Sequence, residues 1–344
     1  MNGVPFRVVQ VGAGMWGDSW AELVARGRGF RLAGLVDESK IARDWANATF
    51  GCPTFRDLRA ALRRVACDAV LIVVPPGSHR ALAEQALEAG CHVAVEKPIA
   101  LDVGEARAIA DAAARTGRCA MVTQNYRFRR QPRALRQLLA TGALGDLRGG
   151  RISCRRDLRR VHAARDWRGR MPHPYLLDMA IHHVDLLRMI TGLEIVEVDA
   201  RSWPSPTGPF RHDPTVVGVL TLSGGIAFGY DGTWVEPRGW TSWNGDWELV
   251  GTKGRAVWDG GVGDALRGHV TLERRDGQER RAVLPHLPAL DRLGVLHELR
   301  RAAAAGEEPE CSAADNLQSL AAVLALARST EERRPVRIEE VLTP

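Results

Sequence analysis

Residues 6–17, Phe6-Arg7-Val8-Val9-Gln10-Val11-Gly12-Ala13-Gly14-Met15-Trp16-Gly17, decide the reading of the chain. Phe6 to Val11 is a short apolar run of the kind a buried strand uses, and three glycines follow it in the spacing of a strand-to-helix turn. Gly12 allows the tight turn, Gly14 lets the backbone approach a pyrophosphate, and Gly17 permits close packing of helix on strand. A helix beginning near Met15 would then present its positive N-terminus to phosphate, with Met15 and Trp16 against the ligand. A glycine-rich turn with no ligand is the competing reading of the motif by itself.

Asp37 weighs against that competitor. It stands 20 residues after Gly17, closing the second apolar run Phe30 to Val36. A carboxylate there accepts hydrogen bonds from ribose hydroxyls and repels a 2′-phosphate, so NAD is expected in preference to NADP. Lys40 and Arg43 follow closely and can swing toward a phosphate. The plain alternative for Asp37 is an N-cap for a helix starting at Glu38.

Outward from this unit, strand-like runs recur at Ala69 to Val74, His92 to Val95 and Cys119 to Thr123, separated by alanine-rich helical segments. Strands alternating with helices build a parallel sheet by right-handed crossovers, which gathers ligands at the carboxyl ends of the strands. The loops at those ends are therefore the places to look. One is Val74-Pro75-Pro76-Gly77-Ser78-His79, where the prolines force an extended turn and Ser78 can cap the next helix; Val74, Pro75 and His79 are expected at the cofactor edge. The next is Glu96-Lys97-Pro98. The chain has only three lysines, Lys40, Lys97 and Lys253, so a lysine kept at a strand end is suggestive. Unlike arginine, it can stabilise an alkoxide-like oxygen or have its pKa tuned by burial; a surface lysine at a loop junction is the bland reading. In Thr123-Gln124-Asn125-Tyr126-Arg127-Phe128, polar side chains can touch ligand, or Tyr126 and Phe128 can simply pack the helix from Pro132 to Leu139.

From Leu147 the pattern turns β-rich, with strands expected at Leu147 to Arg156, Ile195 to Trp203, Thr215 to Leu222, Ile226 to Val235, Asp246 to Gly251 and Ala256 to Asp259. One helix, Tyr175 to Thr191 with Gly192 as C-cap, interrupts them. Asp178 and His182 are four apart on it and share a face, Asp185 lies three further on, and His183 points away. Imidazole, with a reference pKa of ~6.5, can take the proton of a secondary alcohol while hydride leaves the same carbon. Asp178 can hold a neighbouring hydroxyl, and Asp185 can orient the imidazole from behind. A satisfied core histidine is the bland alternative. A metal on Asp178, His182 and His183 is not expected, because adjacent histidines diverge on a helix.

Taken together, the glycine loop, the Pro75-Pro76 loop and Glu96-Lys97-Pro98 resemble the glucose-fructose oxidoreductase / inositol dehydrogenase / rhizopine catabolism (Gfo/Idh/MocA) oxidoreductase family, and the segment Leu176 to Leu187 is similar to that family's D-x-x-x-H-x-x-D helix. The resemblance implies that Lys97 reaches the substrate hydroxyl beside the nicotinamide and that Asp178 and His182 complete the catalytic group. It places Glu96 and Asn125 with the cofactor, and Arg127, Trp167 and Arg168 with the substrate. It further implies a cis Pro98, a last helix that packs back on the first domain, and dimers or tetramers formed through the C-terminal sheet. Where relatives carry a glycine run, this chain has Met171-Pro172-His173-Pro174-Tyr175, so a reshaped substrate pocket is expected. The implied activity is NAD-dependent oxidoreduction of a secondary hydroxyl on a sugar, sugar derivative or polyol. An NAD-dependent glycosidase, and a sugar sensor that keeps the fold without turnover, remain as alternatives.

Composition agrees with two domains. At 344 residues and 45% hydrophobic content the chain can bury two cores. The expected division is 1–125 as a Rossmann domain with a doubly wound parallel sheet, 126–330 as an α+β domain with a large, open, mainly antiparallel sheet, and 331–344 as a closing strand or tail. No membrane-spanning run and no cleavable apolar leader is evident, so a cytoplasmic protein is expected. Six scattered cysteines without a C-x-x-C pair read as reduced thiols. The net charge of +6 comes without a basic helix or an aromatic RNA-binding signature, so an acidic small substrate suits it and nucleic acid is not expected. Tryptophans at 203, 234, 240, 243, 247 and 258 can be carbohydrate platforms; Trp234, Trp247 and Trp258 are better read as covering a sheet face or an intersubunit surface.

Overall fold

The structure is a computed structural model that describes residues 4–159, 167–206, 208–261, 266 and 268–343, with Met15, Trp167 and Arg168 described by their backbone alone. The chain divides into two units, Met1–Gln124 with Arg292–Leu317, and Asn125–Asp291 with Gln318–Pro344. Residues 292–317 thus return to the first unit, where a linear division would assign them to the second.

The first unit holds β1 (Phe6–Val11), β2 (Phe30–Val36), β3 (Thr54–Phe55), β4 (Ala69–Ile72), β5 (His92–Val95) and β6 (Ala120–Val122). They form a parallel sheet in the order β3-β2-β1-β4-β5-β6. β4 is buried at every residue and β5 at all but its first, as a sheet covered on both faces requires. Its crossovers are α1 (Met15–Arg26), α2 (Lys40–Phe50), α3 (Leu58–Arg64), α4 (His79–Glu88) and α5 (Val103–Thr116). α5 shows why these segments are helical: Asp102 caps it by accepting from the Glu105 N–H, Val103, Ala106, Ile109 and Ala112 bury one stripe, and Gly117 closes it at φ +64°. The strand order reverses between β1 and β4, which sets the loops after these two strands side by side.

The second unit carries β7 (Leu147–Arg155), β8 (Ile195–Trp203), β9 (Thr215–Leu222), β10 (Ile226–Thr233), β11 (Asp246–Gly251), β12 (Gly254–Trp258), β13 (Val270–Arg274), β14 (Glu279–Arg281) and β15 (Val336–Arg337). The nine-stranded order is β14-β13-β12-β11-β7-β10-β9-β8-β15, antiparallel throughout except for β7 beside β10. Its helices are α6 (Arg130–Ala140), α7 (Trp167–Arg170), α8 (Ile181–Thr191), the later part of α10 (Ala313–Glu332) and α11 (Glu339–Leu342), while α9 (Asp291–Ala305) lies almost wholly in the first unit. Trp234, Trp247 and Trp258 are fully buried within the chain, and Trp247 stacks on Trp258 directly across the β11–β12 ladder at 6.1 Å. These indoles therefore cover the sheet from inside, and burial by another subunit is not their role. Among the described residues, no helix is long and apolar enough to cross a membrane.

Candidate active site

The glycine loop separates its three residues by physical demand. Gly12 has φ +97°, and a Cβ there would strike the Val73 carbonyl at the end of β4. Gly17 lies so close that a Cβ would sit 2.5 Å from the Gly12 oxygen, and the buried Gln10 amide ties the carbonyls of Gly12 and Gly17 at 2.8 Å each. Gly14 differs: a Cβ there would meet no atom within 4 Å, and the residue begins α1 without a side-chain cap. The first N–H groups of α1 are thus offered outward beside open space, which fits a dinucleotide pyrophosphate.

Asp37 fits the same ligand. Its carboxylate accepts from the Ala13 N–H at 2.9 Å and the Ser39 N–H at 2.8 Å, one bond to each oxygen, which leaves lone pairs for ribose hydroxyls. It is not the N-cap of α2; Ser39 is, accepting from the Ala42 N–H. The two nearby cations are engaged elsewhere, Lys40 with Asp44 at 2.6 Å and Arg43 with the carbonyls of Asp37 and Glu38 at 2.7 and 2.8 Å.

At the ends of β4 and β5 two of the expected cofactor residues make contacts within the protein. Glu96, expected against the cofactor, is buried; its Oε1 accepts the indole N–H of Trp20 at 2.7 Å and of Trp16 at 3.1 Å, and its Oε2 faces the Lys97 N–H at 3.2 Å. It bolts α1 to the end of β5. His79, also expected at the cofactor, is fully buried, with Nε2 2.8 Å from the Val74 carbonyl and Nδ1 3.1 Å from the carbonyls of Pro98 and Ile99. Burial holds its pKa below the usual imidazole value. A neutral ring carries one N–H, so it donates to the carbonyls on one side only, and its body packs the loop after β4 against the loop carrying Lys97. Ser78 ends a single 3₁₀ turn, Pro76–Ser78, and makes no side-chain cap. Val74 is half-buried, Pro75 exposed, Lys97 half-buried, and the Lys97–Pro98 peptide is cis. Trp16 is 48% exposed beside the Gly14 opening, with the Arg292 guanidinium 4.9 Å from its ring.

In the second unit, the expected Tyr175 to Thr191 helix opens with a π-turn, Leu176–Ala180, in which the Ile181 N–H bonds the Leu176 carbonyl; regular α8 follows and ends at Gly192, φ +69°. Such turns accommodate an extra residue in a helix and recur at functional sites. Asp178 sits within the π-turn, half-buried, and His182 in the first turn of α8, 6% exposed. The His182 imidazole stacks on Tyr126 with centroids 4.2 Å and planes 7° apart. Burial pushes the Tyr126 phenol up to about 12, so it stays neutral. Arg127, expected at the substrate, is instead buried in a two-pronged ion pair with Asp185 at 2.6 and 2.7 Å, and Asp185 also accepts from the Ser319 hydroxyl at 2.9 Å. Asn125 donates to Asp291 at 2.6 Å. His183 is fully buried between the Tyr230 hydroxyl at 2.9 Å and the Trp243 carbonyl at 3.1 Å. The carbonyl requires an N–H on Nε2, so Nδ1 accepts from Tyr230. Burial drops the His183 pKa to about 4. The side chains of Met15, Trp167 and Arg168 lie outside the described residues.

Sequence reasoning missed Trp20, Arg129 and the pairing of Tyr126 with His182. Only Tyr126 left a signal, as the residue inside the motif running from Asn125 to Phe128.

The NAD-binding Rossmann-fold model of the GFO/IDH/MocA oxidoreductases matches residues 6–124, and that family's C-terminal-domain model matches residues 133–257. The chain belongs to the GFO/IDH/MocA oxidoreductase family. It is similar to dTDP-3,4-didehydro-2,6-dideoxy-alpha-D-glucose 3-reductase of Streptomyces violaceoruber, at 30% identity over 76% of this chain and 75% of the relative. D-glucoside 3-dehydrogenase of Escherichia coli strain K12 is 29% identical over 69% of this chain and 71% of its own length. A crystal structure of an oxidoreductase from Agrobacterium radiobacter, in complex with NAD+, L-tartaric acid and magnesium, shares the fold with a TM-score of 0.81 at 21% identity, covering 97% of this chain and 99% of that one. As a GFO/IDH/MocA member the protein is an oxidoreductase with an NAD-binding domain, and the open, uncapped helix start at Gly14 agrees with that assignment.

Proposed function

We propose that the protein oxidises a secondary hydroxyl of a sugar, sugar derivative or polyol, or reduces the corresponding ketone, with NAD in preference to NADP. The observation that carries the cofactor half of this reading is the open approach to Gly14 beside the Asp37 carboxylate. The substrate half is supported by the names of the two relatives, both of which act at the 3-position of a sugar, so a hexose C3 hydroxyl is the first candidate.

NAD, when bound, accepts the hydride that leaves the carbinol carbon. Within this proposal the residues divide the remaining work. His182 takes the hydroxyl proton, a role open to an imidazole. Lys97 stabilises the oxygen as negative charge develops, through an ammonium donor. Asp178 accepts a hydrogen bond from a neighbouring hydroxyl and so sets which carbon reacts. The bonds balance: one C–H pair of electrons leaves with hydride, and the O–H proton leaves to His182.

The test is turnover with NAD+ across sugars, polyols, acidic sugars and glycosides, run with Lys97→Ala and His182→Ala. The expected result is substrate-dependent NADH formation that falls about 10²- to 10⁴-fold in the variants while NAD affinity stays. Glycoside cleavage with no net NADH would replace this reading with the NAD-dependent glycosidase, and binding without any turnover would replace it with the sensor. Self-association through the outer face of the nine-stranded sheet, where Val217 and Val219 are 47% and 45% exposed, belongs to the same proposal. Sedimentation of Val219→Glu should show smaller particles than the parent; identical particle size would remove that face from the proposal.

A further inference from the structure

We propose that Tyr126 is the positioning residue that sets the plane of the His182 ring, held from behind by Arg129; this rests on the assignment of His182 as proton acceptor. The Tyr126 centroid is 4.2 Å from that of His182, with planes 7° apart, and the Arg129 guanidinium carbon is 3.5 Å from the same Tyr126 centroid. Two flat groups at these distances would collide if they shared one face of a phenol ring. Tyr126 is therefore filled on both faces, by the imidazole on one side and the guanidinium on the other.

The rear of this stack is fixed. Arg129 donates to the Asp291 carboxylate at 2.7 Å through Nε and at 2.6 Å through Nη2, and through Nη1 to the buried Asn244. Asn244 is itself tied to the Gly260 carbonyl at 2.5 Å. The adjoining residues reinforce it, Asn125 on Asp291 and Arg127 on Asp185. Residues 125–129 thus hold α8 at two points, at His182 by stacking and three residues later at Asp185 by a buried ion pair.

The helix needs that outside grip where it is applied. His182 directly follows the π-turn Leu176–Ala180, where the i→i+4 ladder is interrupted and the rotation of the next turn is set less firmly by the helix's own bonds. An imidazole also turns about Cβ–Cγ, whereas a proton acceptor must be held within about 10–20° of its productive geometry. Stacking on Tyr126 restrains the plane through the face of the ring.

The experiment compares Tyr126→Phe and Tyr126→Leu in the full-length protein by steady-state kinetics, NAD titration and proton NMR of the His182 ring, assigned by its loss in His182→Gln. Tyr126→Phe keeps the ring face and should keep kcat. Tyr126→Leu should lower kcat about 10- to 100-fold, with NAD affinity and substrate KM within about twofold. The His182 C–H resonances should lie upfield in the parent and in Tyr126→Phe, and move downfield in Tyr126→Leu. If the leucine variant does not fold, Tyr126→Met supplies the same comparison with a more adaptable side chain. A kcat unchanged by loss of the ring, or a leucine variant whose defect phenylalanine does not repair, overturns the proposal while the dehydrogenase reading stands. Parent protein that turns over no sugar or polyol overturns that reading and this role with it, and the NMR shift then reports only a packing contact.

Discussion

Alanine at Gly14 and alanine at Gly12, two residues apart, should fail in opposite ways. Gly14 has φ −73° and ψ −175°, ordinary for alanine, and its Cβ would meet no atom within 4 Å. The stiffer unfolded chain contributes ~0.4–1 kcal/mol of stability, offset by alanine's poorer N-cap, so the melting temperature should move by no more than about 2–4 °C. The methyl group would stand where the backbone must meet a pyrophosphate. Losing one hydrogen bond to a charged group costs ~1.5–3 kcal/mol, which raises the NAD Kd about 10- to 150-fold. At Gly12 the methyl group meets the Val73 carbonyl, and φ is +97°. Strain of ~1–2 kcal/mol and crowding of ~1–3 kcal/mol should lower the melting temperature by about 4–20 °C. Thermal unfolding by circular dichroism and NAD titration by tryptophan fluorescence read the two quantities separately. A Gly14→Ala protein that binds NAD with the parental Kd would refute the placement of the pyrophosphate.

Three further outcomes follow from particular contacts. Asp37→Ser removes the carboxylate that disfavours a 2′-phosphate, and the NADP-to-NAD affinity ratio should rise about tenfold or more by calorimetry; an unchanged ratio would detach Asp37 from the ribose. His183 titrates near 4 in the folded protein against ~6.5 unfolded, so the folded state favours neutral imidazole. Its contribution is complete above about pH 6.5 and is lost as pH falls toward about 4, roughly 3 kcal/mol in all. Urea titrations of the parent should show that loss, and His183→Gln should flatten it; parallel curves would count against a neutral buried ring. Arg127→Met leaves Asp185 buried without its partner and should cost about 3–5 kcal/mol, part of which Arg127→Met/Asp185→Leu should return. A single variant as stable as the parent would mean that the pair does not hold α8.

What the sequence made legible was local. The strand ends and the glycine loop follow from apolar runs and from backbone demands that Gly12 and Gly17 alone can meet, and the structure reproduces β1, β2, β5, β8, β9 and β11 at the expected residues. β14 escaped because Glu279–Arg281 is an exposed edge with no apolar residue to mark it, and β3 because two residues carry no period. The π-turn escaped because it conserves the spacing of Asp178 and His182 while changing the backbone beneath them. His79 and Glu96 were expected at the cofactor and Arg127 at the substrate, yet the structure pairs His79 with loop carbonyls, Glu96 with Trp20 76 residues away and Arg127 with Asp185 58 residues away. A single sequence shows that such a residue stands at a strand end; which way its side chain turns is decided by packing. The return of residues 292–317 to the first unit is a long-range event of the same kind.

The most direct test of the central claim follows the hydride itself. Perdeuterated methyl glucoside, glucose and myo-inositol would be incubated with the protein and NAD+, and the dinucleotide examined by mass spectrometry. The expected result is one deuterium on the nicotinamide for each molecule of ketone formed, abolished in His182→Ala. Ketone formed without label in the dinucleotide, or cleaved glycoside with no net reduced dinucleotide, would contradict it.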